Sequence, residues 1–326
     1  MKAYIYTKYG PPEVLEYKEI EKPLPQEDQV LVKTCATSLN AYDWHLMKAD
    51  PFIVRLVGEG FLKPKHNIPG ADIAGRVEAV GSRVTQFQPG DEVFGDIGGG
   101  SSGGFAEFAC AREDKLAAKP VNMTFAEAAA VPMAALTALQ ALRDYGHIQS
   151  GQKVLINGAS GGVGTFAVQI AKSFDAEVTA VCSPRNVEAV RSLGADHVID
   201  YTQEDFTRSG QHYDLILGAN GYHSIFDYRR ALTPAGAYVM TGGSGAQMFQ
   251  ALLMGPLLSR TGANKMGNMM ARQNQQDLIF IKGLIEAGKV KSVIDRLYPF
   301  SEAVEALRYL EAGHARGKIV ISLEQQ

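Results

Sequence analysis

Two textures of apolar spacing divide the chain. Over the first forty residues the apolar positions fall in short runs, Ala3–Tyr6, Leu15–Glu19 and Gln29–Thr37, separated by turns at Gly10–Pro12 and Pro23–Pro25. Such runs between Gly/Pro turns predict strands. Residues 68–95, IPGADIAGRVEAVGSRVTQFQPGDEVFG, continue in the same style, with glycines at 70, 75, 81 and 90. Turn signals this frequent predict a compact, barrel-like β domain. A Gly/Ser-rich stretch, Gly95–Gly104, precedes a further strand, GFAEFACA. The stretch reads either as a flexible flap over a site or as a solvated linker.

From Thr124 the spacing becomes helical. TFAEAAAVPMAALTALQALRD has a Thr N-cap, Glu127 in the capping-box position and Ala/Leu at helical intervals, with Pro132 breaking it into two helices. Strands then alternate with helices: KVLIN, EVTAVCS, HVIDY, DLILGAN and AYVMTGG each precede or follow a helical segment. That alternation predicts a parallel, doubly wound sheet. The last part contributes a helix (Gln275–Ala287), a strand (Val293–Pro299), a helix (Ser301–Glu311) and a final strand (Lys318–Leu323). It could extend the parallel sheet or return to complete the first domain.

Length and composition narrow the class. A chain of 326 residues suits two domains, and 46% hydrophobic with 21% charged residues is a globular profile. A net charge of −3 argues against a broad nucleic-acid surface. The start, MKAYIYTKYG, lacks the features of a secretory signal. The longest apolar stretch, Met248–Leu258, is interrupted by Gln250, Gly255 and Pro256 and falls short of the roughly 20 residues of a membrane span. It reads as a mobile loop or a buried interface segment. Cys35, Cys110 and Cys182 stand singly, which gives neither a disulfide framework nor metal-ligand spacing, and a reducing, cytoplasmic setting is expected.

The chemistry centres on the strand Lys153–Asn157 and the glycines that follow it, Gly158, Gly161, Gly162 and Gly164, before a helix over Thr165–Ser173. A pyrophosphate must approach backbone N–H groups at a helix N-terminus, and a Cβ would block it. Within a βαβ unit this pattern marks a dinucleotide site. An NAD ribose would be held by an acid about 20 residues beyond the glycines. Here Glu177–Val181 leads instead into Cys182-Ser183-Pro184-Arg185-Asn186. A hydroxyl and a guanidinium favour a 2′-phosphate, hence NADPH. The bland alternative for Arg185 is a solvated residue at the start of the next helix.

These motifs, with SLNAYDW (38–44), PGADIAGRVEAVG (69–81), PGDEVFG (89–95), GGFAEF (103–108), AAAVPMAALTALQAL (128–142), NGASGGVG (157–164), LGADHVIDY (193–201) and HARGKIVI (314–321), cover nearly all of the chain. Together they resemble the medium-chain dehydrogenase/reductase superfamily in its zinc-independent quinone oxidoreductase branch. The resemblance implies an α/β architecture: a GroES-like catalytic β domain from residues 1–124 and 272–326, and a Rossmann NADP-binding domain from 125–271. It implies that Ser160, Gly161, Gly162, Val163, Gly164, Ser183, Arg185 and Tyr201 line the cofactor, with Ala219, Asn220, Gly242 and Gly243 nearer the nicotinamide. The HARGK segment would bring His314 and Arg316 to the dinucleotide. Taken alone, Tyr201 could be a strand-end aromatic and Arg316 a surface charge.

The departures from zinc alcohol dehydrogenases are as informative. Asn40 stands where those enzymes place a first zinc cysteine, with Asp43 three residues on, and their Gly-His-Glu becomes Gly70-Ala71-Asp72. No set of three metal ligands remains, so no metal is expected. The resemblance implies an NADPH-dependent oxidoreductase that reduces quinones or the C=C bond of α,β-unsaturated carbonyls by hydride transfer. Asn40 would orient the substrate carbonyl or the nicotinamide amide, Asp43 is expected to brace the loop rather than act as an acid, and Tyr42 and His45 are expected in core or surface roles. Alternatives are a 2-enoyl thioester reductase and a non-enzymatic NADPH-binding interaction protein. A small-molecule substrate and a homodimer are expected, without nucleic acid or a membrane span. The substrate walls are expected from loops 46–66, 95–104 and 245–265.

Overall fold

Both ends of the chain supply strands to one mostly antiparallel sheet, because the long, two-sided strand near the N-terminus offers two edges to pair; within it only the two strands of the tail pair with each other in parallel. The computed structural model describes residues 1–50, 60–65, 67–98, 103–220, 223–243, 245–261 and 263–324. Of the expected pocket loops, residues 51–59, 66, 99–102 and 262 therefore lie outside the described residues, as does the centre of the Gly/Ser stretch. The chain divides into two units, Met1–Met133 with Gln273–Glu286 and Ser292–Gln326, and Ala134–Arg272 with Ala287–Lys291.

The first unit begins with the ribbon β1 (Lys2–Ile5) and β2 (Glu16–Glu19), followed by β3 (Gln29–Leu39), α1 (Ala41–Lys48), β4 (Asp72–Val80), β5 (Glu92–Asp96), β6 (Phe108–Arg112), β7 (Leu116–Ala118) and α2 (Phe125–Ala129). β3 pairs antiparallel with β4 along one edge, from Val30↔Val80 to Ser38↔Asp72. Its other edge takes β6 along the first half, from Gln29↔Arg112 to Lys33↔Phe108. Val30, Val32, Ile73, Val77, Val93, Ile97, Ala109, Ala111 and Leu116 fill the space these strands enclose. The capping box expected at Thr124 and Glu127 forms, with the hydroxyl accepting from the Glu127 N–H.

α3 (Pro132–Gln140), which belongs to the second unit from Ala134 onward, starts at the proline, whose missing N–H costs nothing in a first helical turn. Next come β8 (Lys153–Asn157), α4 (Gly162–Ser173), β9 (Glu177–Cys182), α5 (Val187–Ser192), β10 (His197–Asp200), β11 (Tyr213–Gly218), α6 (Ile225–Arg230), β12 (Leu232–Met240), α7 (Gly245–Thr261) and β13 (Lys265–Asn268). All pairings are parallel, in the order β10-β9-β8-β11-β12-β13. The order reverses between β8 and β11, and a doubly wound sheet opens its ligand crevice at such a reversal, beyond the carboxyl ends of the strands.

α7 corrects one of the two readings of Met248–Leu258, the mobile loop: the segment is helical throughout, with Pro256 inside it. Packing overrides propensity here. Ala251 and Leu258 are buried in the core, and Gly255 lies so close to β13 that a Cβ would sit 2.7 Å from the Met266 carbonyl.

The tail supplies α8 (Gln275–Glu286), β14 (Ile294–Pro299), α9 (Ala303–Glu311) and β15 (Lys318–Ser322). β15 pairs with β3 antiparallel from Ile319↔Leu39 to Ser322↔Ala36, so the tail returns to the first unit rather than extending the parallel sheet. That register sets Lys318 beside Asn40.

Candidate active site

The carboxyl edge of the parallel sheet gathers most of the expected coenzyme residues. The three motif glycines have separate physical roles. Gly158 has φ +87° and backs onto Asn220, whose N would lie 2.7 Å from an added Cβ. At Gly164 a Cβ would stand 2.1 Å from the Gly158 carbonyl, so this glycine lets the helix press against the turn. Gly161, the N-cap of α4, is different: its φ is ordinary and a Cβ would meet only the Gly158 carbonyl, at 3.6 Å. Bulk is excluded there by nothing in the chain itself. The helix opens at Gly162, and the first helical N–H groups, those of Gly162, Val163 and Gly164, have no acceptor within the helix. A turn with room above it and orphan donors facing that room fits a pyrophosphate.

Beside this turn, Ala219 and Asn220 donate their N–H groups to the Asn157 carbonyl at 2.9 and 3.1 Å, and Gly242 donates to the Gly218 carbonyl at 3.3 Å. The ends of β8, β11 and β12 are thus tied together. Gly243 follows at φ +142°.

At the end of β9, Ser183 caps the short turn Pro184–Asn186. The buried Asn186 amide donates to both Ser160 Oγ, at 2.9 Å, and Ser183 Oγ, at 3.0 Å. Each hydroxyl, accepting from the amide, keeps its own O–H to donate outward. Asn186 was not among the expected residues; its position three beyond Ser183, in a turn led by proline, was the available signal. Arg185 is exposed on the same turn, and Tyr201, 60% exposed, follows β10 rather than lying in it. The strand-end carboxylate of β10, Asp200, accepts from Thr202 and Gln203.

His314 and Arg316 stand exposed in the first unit, on the turn between α9 and β15. The Arg316 N–H donates to Asp295 at 3.0 Å, and Gly317, at φ +114°, leaves no room for a Cβ against the Val293 carbonyl, 2.3 Å away.

A second polar centre lies within the first unit. Asp72 is fully buried, and Lys318 is 3% exposed with its ammonium 3.3 Å from the Asp72 carboxylate. Asp72 Oδ2 also accepts from Ser38 Oγ at 2.8 Å and Asn40 Nδ2 at 2.9 Å, and Oδ1 accepts from the Met133 N–H at 2.9 Å. The Lys318 ammonium donates in addition to Asn40 Oδ1. This assignment of the carboxamide is dictated by charge, since the flipped form would set an NH₂ against an ammonium.

Asn40 caps α1, yet its side chain does not serve the cap, because it is turned to Asp72 and Lys318. Asp43 does that work: its carboxylate accepts from the Asn40 N–H at 2.8 Å and from the Gly70 and Ala71 N–H groups at 3.2 Å each. Burial pushes the Asp43 carboxyl up to about 7, against the opposing pull of those backbone donors. With both oxygens committed to backbone, Asp43 ties the start of α1 to the loop before β4. Burial likewise pushes the three thiols up to about 11. His45 stacks on Trp44 with ring centroids 3.8 Å apart.

Residues 26–121 match the family model described as Alcohol dehydrogenase GroES-like domain, and residues 193–321 match Zinc-binding dehydrogenase. The chain is 37% identical to the chloroplast envelope quinone oxidoreductase homolog of Arabidopsis thaliana, over 98% of both chains. It is 37% identical to the 2-methylene-furan-3-one reductase of Solanum lycopersicum, over 98% of this chain and 79% of that one. The quinone oxidoreductase structure from Coxiella burnetii superposes with a TM-score of 0.87 at 30% identity, covering 99% of each chain. The chain belongs to the medium-chain dehydrogenase/reductase superfamily, in its zinc-independent quinone oxidoreductase-like branch, and is an oxidoreductase with a GroES-like domain and a Rossmann-type parallel sheet. Membership in this superfamily implies a nicotinamide coenzyme.

The second family description raises the question of zinc. Asn40 and Ala71 replace the ligands that the zinc enzymes carry, and among the described residues no three His, Cys, Asp or Glu side chains are grouped to hold a metal. The site residues also carry a built-in cation, since the Lys318 ammonium already contacts Asn40 and Asp72. A second cation at this point would meet it directly, so the donor set does not fit zinc. No described helix is long and apolar enough to cross a membrane.

Proposed function

We propose that the protein reduces quinones, or the C=C bond of α,β-unsaturated carbonyls, with NADPH and without zinc. The observation that carries this reading is the division of labour among the motif glycines. Gly158 and Gly164 are required by the fold, whereas Gly161 leaves open space at a helix N-terminus. When bound, the reduced nicotinamide supplies the hydride. The N–H groups of Gly162, Val163 and Gly164 hold the pyrophosphate, and Ser160, Ser183 and Arg185 hold the 2′-phosphate, with Tyr201 beside the adenosine. Ala219, Asn220, Gly242 and Gly243 hold the nicotinamide end, and His314 and Arg316 complete the coenzyme contacts. Asn40 donates to the substrate carbonyl, where negative charge grows as the hydride arrives, and Asp43 keeps that residue in place. Residues 1–124 and 272–326 form the catalytic domain and 125–271 the domain that carries most of the coenzyme contacts. Relatives named for quinone and 2-methylene-furan-3-one reduction support the substrate class.

A homodimer in the cytoplasm is part of the same proposal. It is supported by the position of β13 at the edge of its sheet and by cysteines that stand singly, without disulfides. The test is NADPH oxidation against a panel of quinones, 2-alkenals, enones and a 2-enoyl thioester, with NADH as comparator. Turnover of a quinone, alkenal or enone with NADPH is expected. Turnover of the thioester alone, or coenzyme binding without turnover of any acceptor, would displace the reading.

A further inference from the structure

The network around Lys318 holds more than is needed to satisfy Asp72. That carboxylate already accepts from Ser38, Asn40 and the Met133 N–H. Burying a lysine as well is costly, and its desolvation is offset only by the partners it meets. Besides its ion pair with Asp72, the ammonium adds a contact with Asn40 Oδ1. The carboxamide is thereby held at both ends, by a cation on its oxygen and by a carboxylate on one Nδ2 hydrogen. The other Nδ2 hydrogen finds no acceptor among the described residues.

We propose that Lys318 is a positioning residue: it locks the Asn40 carboxamide so that the second Nδ2 hydrogen is presented to the substrate carbonyl oxygen. The proposal rests on the reductase reading above. Two physical effects act through the one contact. Rotation of the amide is prevented, because turning it would set its NH₂ against the ammonium. A cation on the amide oxygen also withdraws electron density and makes the N–H a stronger donor, as hydrogen bonds in a chain polarise one another. The donor is then aligned before the reaction and needs no reorganisation during it.

The test is a cycle of wild type, Lys318→Met, Lys318→Arg, Asn40→Ala and the double variant Asn40→Ala/Lys318→Met, each assayed with NADPH at a temperature where circular dichroism shows it folded. Lys318→Met should lower kcat about 10-fold with an unchanged KM for NADPH, and Lys318→Arg should restore most of the loss. In the Asn40→Ala background, Lys318→Met should change kcat by less than about 2-fold, since its effect passes through Asn40. The second readout uses the protein without coenzyme, labelled with ¹⁵N-asparagine, with the Asn40 side-chain amide identified by its loss in Asn40→Ala. Its protons should exchange with solvent faster in Lys318→Met and at the wild-type rate in Lys318→Arg. Unchanged Asn40 amide signals in Lys318→Met, or kcat losses that multiply in the double variant, would overturn the proposal. Should wild type reduce no acceptor, the reductase reading falls and Lys318's part in the reaction falls with it, while the amide exchange still decides whether Lys318 locks Asn40.

Discussion

Gly161→Val should abolish NADPH binding while leaving the protein folded. A Cβ at this position meets only the Gly158 carbonyl, at 3.6 Å, and the backbone has φ −84°, which any residue adopts. The valine methyl groups would instead fill the space that the pyrophosphate needs above the first turn of α4. A rise in Kd of at least about 100-fold, near 2.7 kcal/mol, is expected in a fluorescence titration, with an unchanged circular dichroism spectrum. Gly164→Val is the contrasting case. Its Cβ would lie 2.1 Å from the Gly158 carbonyl, so the fold itself should suffer. Undiminished NADPH affinity in Gly161→Val would mean that the phosphates lie elsewhere.

Asp72→Ala should be the most destabilising single change in the first unit. It strands the buried Lys318 ammonium, the Ser38 hydroxyl and the Met133 N–H, and removes the partner that orients Asn40. Removing one partner of a buried ion pair costs about 3–5 kcal/mol, because the remaining charge stays buried without compensation. For a domain of this size that corresponds to a fall of roughly 6–20 °C in Tm. The Lys318→Met change is milder, since three neutral donors stay on the carboxylate. Chemical denaturation of the two variants should therefore rank them in that order, and the reverse ranking would show that Asp72 does not organise the network.

The coenzyme half of the site was legible in the sequence because it is local. A strand, a glycine turn and a helix start lie within twenty-one residues, 153–173, and each has its own signal. Helical spacing, the Thr124 cap and the Pro132 break were local in the same sense. The return of the tail was not, since strand periodicity in Lys318–Ser322 says nothing about which edge it will meet. For the same reason the pairing of Lys318 with Asn40 and Asp72 escaped notice: residues 278 and 246 positions apart in the chain are joined only by the β15–β3–β4 register. α7 was missed for a different cause. Gly245, Gly255 and Pro256 all oppose a helix locally, and tertiary packing on β13 outweighs them. Asn40 and Asp43 were legible as site residues, but the turn of the Asn40 side chain toward Asp72 and Lys318 could only be seen in the fold.

A phosphate-bearing reduced nicotinamide should be held by the α4 turn and by the hydroxyls and guanidinium at the end of β9. Isothermal titration calorimetry of wild-type protein with NADPH and with NADH measures this directly. Binding of NADPH at least about 10-fold tighter than NADH, near 1.4 kcal/mol, is predicted from the hydroxyls of Ser160 and Ser183 and the charge of Arg185. Equal or stronger binding of NADH would contradict the coenzyme assignment, and no heat with either would contradict the site.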